Sequence, residues 1–421
     1  MKTFIRTLCI LSAFTLALFT SSANAQTGVL NPDDPIVVYN PSNPPAVPPY
    51  GTLAKWVKTN RVSFSTTSFK AYHYKGMSFR VKFPKSYKDS INTNKKYPIF
   101  VFFHGIGEKG TIYDNEYQLY HGGQKFMQAV DNGTFDGFLL YPQSSSGSGA
   151  FNISHFQLIN ELITNYFVPQ AKVDINRVIV DGLSGGGGAT WQMLRNFPTL
   201  VAAGLPISAV SVADGDGNMT SMLKYTPIWL FQGYLDKAPH FNTARNVVAN
   251  YRAAGANISY TEYPTQGHSC WNSAWADPNF MPFIKGAHKA NPWASNGRTE
   301  FCPSDVISAT LGLTAGFDGY EWRKDGVLIP GANSNTYTAT AVGSYDCRIK
   351  RDTVWSVWSP VPVVIKLKGA TISPDIVSSG LTSKVIPAPD GSTSVQLEVP
   401  DGFNSYNWQR EGNATVLSTT R

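Results

Sequence analysis

The sequence predicts an α/β fold with a mostly parallel, doubly wound sheet, followed by all-β sandwich modules. Three observations predict it. Short apolar runs alternate with helix-like stretches from about residue 61 to 291. After Asn291-Pro292-Trp293 the helical periodicity stops, and short β-like runs with Gly and Thr take over. In that second texture, Gly316-Phe317-Asp318-Gly319-Tyr320-Glu321-Trp322-Arg323 recurs as Gly402-Phe403-Asn404-Ser405-Tyr406-Asn407-Trp408-Gln409, 86 positions on. Such a spacing suits one β-sandwich module per repeat.

The first 25 residues read as a removable leader. Lys2 and Arg6 are basic, Leu8 to Phe19 is apolar, and Ala23-Asn24-Ala25 fits a cleavage site. That apolar run is too short for a bilayer span, so export without an integral membrane segment is expected, to the periplasm or beyond. Residues 26–60 carry many Pro, Asn and Asp and read as an extended arm. Strands follow at Phe79 to Phe83 (alternating) and Tyr97 to Phe103 (continuously apolar), the latter ending in His104-Gly105-Ile106-Gly107-Glu108-Lys109-Gly110.

Next, Val178-Ile179-Val180 runs into Gly182-Leu183-Ser184-Gly185-Gly186, with a helix-like stretch from Gly187 to Asn196. A G-x-S-x-G turn between strand and helix lifts a serine hydroxyl clear of the sheet. It also offers a helix-start N–H to an oxyanion. Thr226 to Phe231 is another buried run, leading to Asp236. After a helix-like stretch from Asn242 to Ala253, Ile258 to Tyr263 alternates as a strand and delivers Gly267-His268. The order Ser184, Asp236, His268 is the nucleophile-acid-base order of α/β-hydrolases. Asp214 and Asp216 are rival acids, in an early surface turn, and rank behind Asp236. The oxyanion donors expected are the N–H groups of Ile106 and Gly185. Of the seven histidines, only His268 falls where a general base belongs; His73, His121, His155, His240 and His288 read as surface or packing residues.

At this point a family resemblance appears. His104 to Gly110 resembles the HGxGERG loop of bacterial secreted esterases of the predicted-peptidase group, near the feruloyl esterases and polyhydroxybutyrate depolymerases. Gly182-Leu183-Ser184 with Thr190-Trp191 looks like their elbow, and Gly267-His268-Ser269-Cys270-Trp271 like their histidine loop. The likeness covers roughly residues 70 to 290. Two positions depart from it: Gly185 stands where a larger residue is usual, and Lys109 where an arginine is common. The resemblance implies an α/β-hydrolase fold and an ester substrate, plant-polymer-linked or polyester.

The domain organisation expected is a leader (1–25), an arm (26–60), a catalytic domain (61–291), an immunoglobulin-like sandwich (300–367) and a second, shortened one (385–421). Tyr345, two residues before Cys347, fits a tyrosine corner, and Trp322 a core tryptophan. Lys and Arg number 35 against 28 Asp and Glu, a formal charge of +7, scattered rather than in blocks, so no nucleic-acid partner is expected. No Cys/His spacing suggests zinc, and no cofactor or metal is implied. Glu108, Asp114 and Glu116 read as a solvated acidic loop. Beyond the leader lie Cys270, Cys302 and Cys347, an odd number; pairing of Cys302 with Cys347 is expected, leaving Cys270 a thiol, with a Cys270–Cys302 bridge across the linker as the rival pairing.

The function these features predict is a secreted serine esterase working through an acyl-enzyme. Two alternatives stand beside it: a serine peptidase on the same scaffold, and a non-catalytic carbohydrate-binding or adhesive protein using Trp322, Tyr337, Trp355 and Trp358. Cleavage after Asn291 is expected to leave an active catalytic domain.

Overall fold

A computed structural model describes residues 29–90, 93–145, 151–209 and 218–368, with short stretches at 377–379, 396–399, 405–410, 412–413 and 415–419. The leader, the rival acids Asp214 and Asp216, and most of the second repeat lie outside the described residues.

A 9-stranded mixed sheet forms the larger unit. Its strands are β1 (Ala54–Lys55), β2 (Phe69–Tyr74), β3 (Met77–Lys82), β4 (Tyr97–Phe103), β5 (Phe138–Pro142), β6 (Val173–Leu183), β7 (Val201–Ile207), β8 (Ile228–Gly233) and β9 (Ile258–Tyr263). In space they run β1-β2-β3-β5-β4-β6-β7-β8-β9. The first three pair antiparallel, as does β3 with β5; every pair from β5 to β9 is parallel.

Alternation along β4 explains how the sheet is covered. Ile99, Val101 and Phe103 enter one apolar cluster, Phe100 and Phe102 another, as a period of two requires. The first cluster takes residues from α2 (Ile153–Leu162), α3 (Gly185–Asn196) and α4 (Phe241–Ala253). The second takes residues from α1 (Gly123–Asp131), α5 (Trp271–Ala276) and α6 (Phe280–Gly286). Both faces are therefore wound by helices. Two histidines turn out to be caps: His155 completes a capping box with Asn152 at α2, and His240 Nδ1 accepts from the Asn242 N–H at α4.

The sheet starts earlier than residue 61. Ala54–Lys55 pairs with β2 at its edge, and Leu30 is wholly buried, so the arm is partly built into the unit. Pro, Asn and Asp mark turns here, not an unstructured linker; the Tyr72 hydroxyl donates to Asp34 Oδ2 at 2.8 Å and ties that stretch down. Glu108 and Glu116 are likewise not solvated. Glu116 is buried and accepts from Lys58 Nζ at 2.8 Å, and Glu108 is 7% exposed.

Residues 293 to 367 form an all-β unit of two sheets. One holds β10 (Trp293–Ala294), β12 (Ala309–Gly312) and β15 (Thr336–Ala339). The other holds β11 (Glu300–Phe301), β13 (Gly319–Lys324), β14 (Val327–Leu328), β16 (Gly343–Arg351), β17 (Val354–Trp355) and β18 (Val363–Leu367). Their inner faces share a core of Leu311, Leu313, Trp322, Tyr345, Cys347 and Ile365. Trp322 Nε1–H donates to the Ser334 carbonyl at 2.8 Å, and the Tyr345 hydroxyl to that of Ala341 at 2.9 Å. In the second repeat, Trp408–Gln409 pairs with Val416–Ser418.

Contrary to expectation, no disulfide joins Cys302 and Cys347. Cys347 is a buried thiol opposite Trp322 on β13, while Cys302 follows β11, beyond the sheet edge. Burial pushes the Cys347 thiol far above its usual range, which disfavours the reactive thiolate. Each of the aromatics considered for a platform has partners within the chain. Trp322 is fully buried, Tyr337 packs on it, and Arg348 lies over the faces of both Trp355 and Trp358.

The two units are bonded to each other. Lys289 Nζ donates to the Pro198 carbonyl at 2.8 Å and to Thr314 Oγ1 at 2.8 Å. Arg351 reaches Asn176 Oδ1 at 3.0 Å and the Thr199 carbonyl at 2.6 Å. Gly312 lies against the Tyr225 ring so closely that a Cβ there would stand 2.2 Å from it. Among the described residues no helix is long and apolar enough to cross a membrane.

Candidate active site

Ser184 sits between β6 and α3 with φ 53° and ψ −120°, a conformation that L-residues adopt only when their surroundings force it. The forcing is visible in the flanking glycines. A Cβ on Gly182 would lie 2.3 Å from the Gly186 carbonyl oxygen, and one on Gly186 1.9 Å from that of Phe103. Only glycine lets β4, β6 and the start of α3 come this close. The Ser184 N–H donates to the Ile207 carbonyl at 2.9 Å and fixes the turn from below. Trp191 Nε1–H, bonded to the Ala209 carbonyl at 3.1 Å, holds α3 against the end of β7.

His268 reaches the serine from the loop after β9. Its Nε2 is 2.8 Å from Ser184 Oγ, and its Nδ1 is 2.8 Å from Asp236 Oδ2. Asp236 is buried, follows β8, and also accepts from Gln232 Nε2 at 3.0 Å and the Ala238 N–H at 2.9 Å. Those two bonds fix the carboxylate, and with it the imidazole plane. Gly233 matters for the same reason: a Cβ there would meet the Gly267 carbonyl oxygen at 2.0 Å, so β8 and the histidine loop touch backbone to backbone. Ser208, at φ 52°, donates its hydroxyl to the His268 carbonyl at 2.5 Å and pins that loop from β7.

Cys270, beside the histidine, is buried, and its thiol is pushed up to about 11, chiefly by burial. With Sγ 3.2 Å from Ser208 Oγ, it serves as packing rather than as a nucleophile.

On the opposite wall, Ile106 and Gly185 are the expected oxyanion donors. Among the described residues neither N–H has a protein acceptor. Ile106 opens a single 3-10 turn, Ile106–Glu108, and its side chain is exposed. His104 aims that turn. Burial holds its imidazole neutral by lowering its pKa to about 4. The neutral ring then has two roles: Nδ1–H donates to the Gly105 carbonyl at 2.7 Å, and Nε2 accepts from the Ser144 N–H at 3.1 Å. Fixing the Gly105 carbonyl fixes the peptide plane that carries the Ile106 N–H.

The structure thus brings Ser184, Asp236 and His268 into one hydrogen-bonded line, with Ile106 and Gly185 beginning the turn and the helix that flank it. Sequence reading missed Ser208, Gln232, Ser144, and the pair Glu108 and His121. Gln232 was within reach, four residues before the acid, but nothing in the sequence marks Ser208. Among the described residues no group of three His, Cys, Asp or Glu side chains is arranged to hold a metal ion.

No protein-family model and no curated protein matches this sequence. Solved structures that align with it include a thermostable esterase, at 25% identity over 52% of this chain and 63% of that chain, TM-score 0.45. The present chain therefore spans less than two thirds of that esterase. A ferulic acid esterase aligns at 19% identity over 49% and 93%, TM-score 0.40. The S954A mutant of the feruloyl esterase module from Clostridium thermocellum, complexed with sinapinate, aligns at 18% identity over 59% and 94%, TM-score 0.39.

Proposed function

We propose that this chain is a secreted serine carboxylic-ester hydrolase of the α/β-hydrolase type, carrying an immunoglobulin-like sandwich over residues 293–367. One observation carries the reading: a strained Ser184, 2.8 Å from an imidazole that is itself 2.8 Å from a buried carboxylate. In this reading Ser184 Oγ attacks the ester carbonyl while His268 Nε2 takes its proton. Asp236 keeps the proton of the neutral ring on Nδ1 and stabilises the imidazolium that forms. The N–H groups of Ile106 and Gly185 receive the developing oxyanion, a donor pair in which each member is worth about 10²- to 10³-fold in kcat. The protonated His268 then releases the alcohol, and a water repeats the cycle to free the acid.

The acyl group follows from the family resemblance alone: feruloyl or acetyl groups on plant polymer, or a hydroxyalkanoate polyester. The test is a panel of feruloyl, acetyl-xylan and hydroxyalkanoate substrates, run with peptide anilides as the contrast and Ser184→Ala as the blank. Ser184-dependent turnover of any ester supports the reading. Turnover of anilides alone would move the chain to the peptidases.

A further inference from the structure

The histidine loop and the oxyanion turn face each other, and a second pair of polar side chains lies between them. Glu108 ends the 3-10 turn that Ile106 begins. Its carboxyl lies beneath the turn: a Cβ on Gly105 would meet Glu108 Oε2 at 2.8 Å and a Leu183 methyl at 2.9 Å. That Oε2 is buried with no hydrogen-bond partner, and the residue is 7% exposed. The other oxygen, Oε1, faces His121 Nε2 at 3.6 Å. His121 in turn packs edge-on against Trp271, ring centroids 5.0 Å apart, and Trp271 meets the His268 ring at 6.1 Å and 89°.

We propose that Glu108 and His121 are positioning residues that span the site, holding the Gly105–Ile106 peptide at a fixed distance from the His268 loop. This rests on the esterase reading above, because it assigns the Ile106 N–H a reacting partner. The argument is one of geometry. The Ile106 N–H points where its peptide plane points, and that plane has two supports. His104 holds its carbonyl end; the Glu108 carboxyl fills the space against the Gly105 Cα. Remove the carboxyl and a void opens under the turn, next to an exposed side chain at Ile106 with little packing of its own. Displacement of an oxyanion donor by about 1 Å is enough to cost a large factor in rate. Burial pushes the Glu108 carboxyl up and the His121 imidazole down, the direction in which each group's charge is disfavoured.

The test compares Glu108→Ala, Glu108→Gln and His121→Ala with the full-length parent on 4-nitrophenyl acetate, with amide hydrogen exchange at residue 108 and Gly110, whose N–H groups donate to the Gly105 and Ser144 carbonyls, as the second readout. Glu108→Ala should lower kcat about 10- to 100-fold with KM within about twofold, and should speed exchange at both amides. His121→Ala should move both readouts the same way. Glu108→Gln keeps the shape and should retain about half or more of the parent kcat. Parent-like kcat and exchange in a folded Glu108→Ala protein would overturn the proposal. So would a Glu108→Gln protein as impaired as Glu108→Ala, since that would make the carboxyl an acid or base. If the parent shows no Ser184-dependent turnover, the esterase reading fails, and the exchange rates still decide whether Glu108 holds the turn.

Discussion

Two neighbouring glycines of α3 have opposite requirements. Gly186 is locked against the Phe103 carbonyl, whereas Gly188 has nothing within 4 Å of where its Cβ would stand. Gly188→Ala should therefore stabilise the helix by up to about 1 kcal/mol, and Gly186→Ala should destabilise by more than that or disrupt the elbow. Thermal melts of the two variants, run together, check this; equal melting temperatures would contradict the packing described. Ser184→Ala should lower turnover by at least about 10⁴-fold in a protein that still folds. Asp236→Asn should cost about 10³- to 10⁴-fold, since its role is to orient His268. Steady-state kinetics on one soluble ester reads both, and a folded Ser184→Ala protein with parental turnover would remove Ser184 from the mechanism. At this scale the sequence was informative where a recognisable motif or acid followed a strand. Ser184, Asp236 and His268 each follow one, so chain order groups them. Ser208 and His121 were not legible, because the His268 carbonyl that Ser208 meets lies 60 residues on and the Trp271 ring that His121 packs on lies far along the chain, and no local pattern encodes such a contact.

Among the elements, the turn after β4 is tied to pH through His104. His104 holds both the Gly105 carbonyl and the Ser144 N–H only while its ring is neutral. Its pKa is lowered from an ordinary value near 6.5 to about 4 by burial. Between those values the unfolded chain binds a proton that the folded chain refuses. Stability is thus lost as the pH falls through that window. Urea midpoints should drop from pH 6.5 to 4, and His104→Asn should flatten part of the slope; an unchanged slope would show that other groups carry it. Strands β4 and β9 were readable to the residue, one as a continuous apolar run and the other by alternation. Helix α3 begins at Gly185, two residues before the reading from sequence, because a run of glycines carries no periodicity. The arm was legible in part: residues 35–51 are mostly exposed, but Pro, Asn and Asp do not show that Leu30, Asp34 and Leu53 on either side are buried in the unit.

Across the whole molecule, a change of texture at Asn291 was visible, but not the bonds that cross it. Lys289 is buried between the units, its ammonium pushed well below its usual pKa by burial. A chain ending at Asn291 loses the Thr314 acceptor and the cover that Gly312 gives Tyr225. It should melt below the full chain while keeping its activity per folded molecule, because Ser184, Asp236 and His268 all precede the cut. Calorimetry with active-site titration would separate the two effects; a shortened chain that melts with the full one would mean the junction contributes nothing. Arg351, from the far end of the β unit's longest strand, anchors the same seam at Asn176 and Thr199.

That seam has a mechanical consequence. Two bodies on a slack tether can each sample any heading, so one held fast leaves the other free to graze the area around it. Here Lys289, Arg351 and the Gly312–Tyr225 contact tie the joint instead. A hold on the β unit would then also set the height and bearing of Ser184, and with them what the proposed hydrolase could reach.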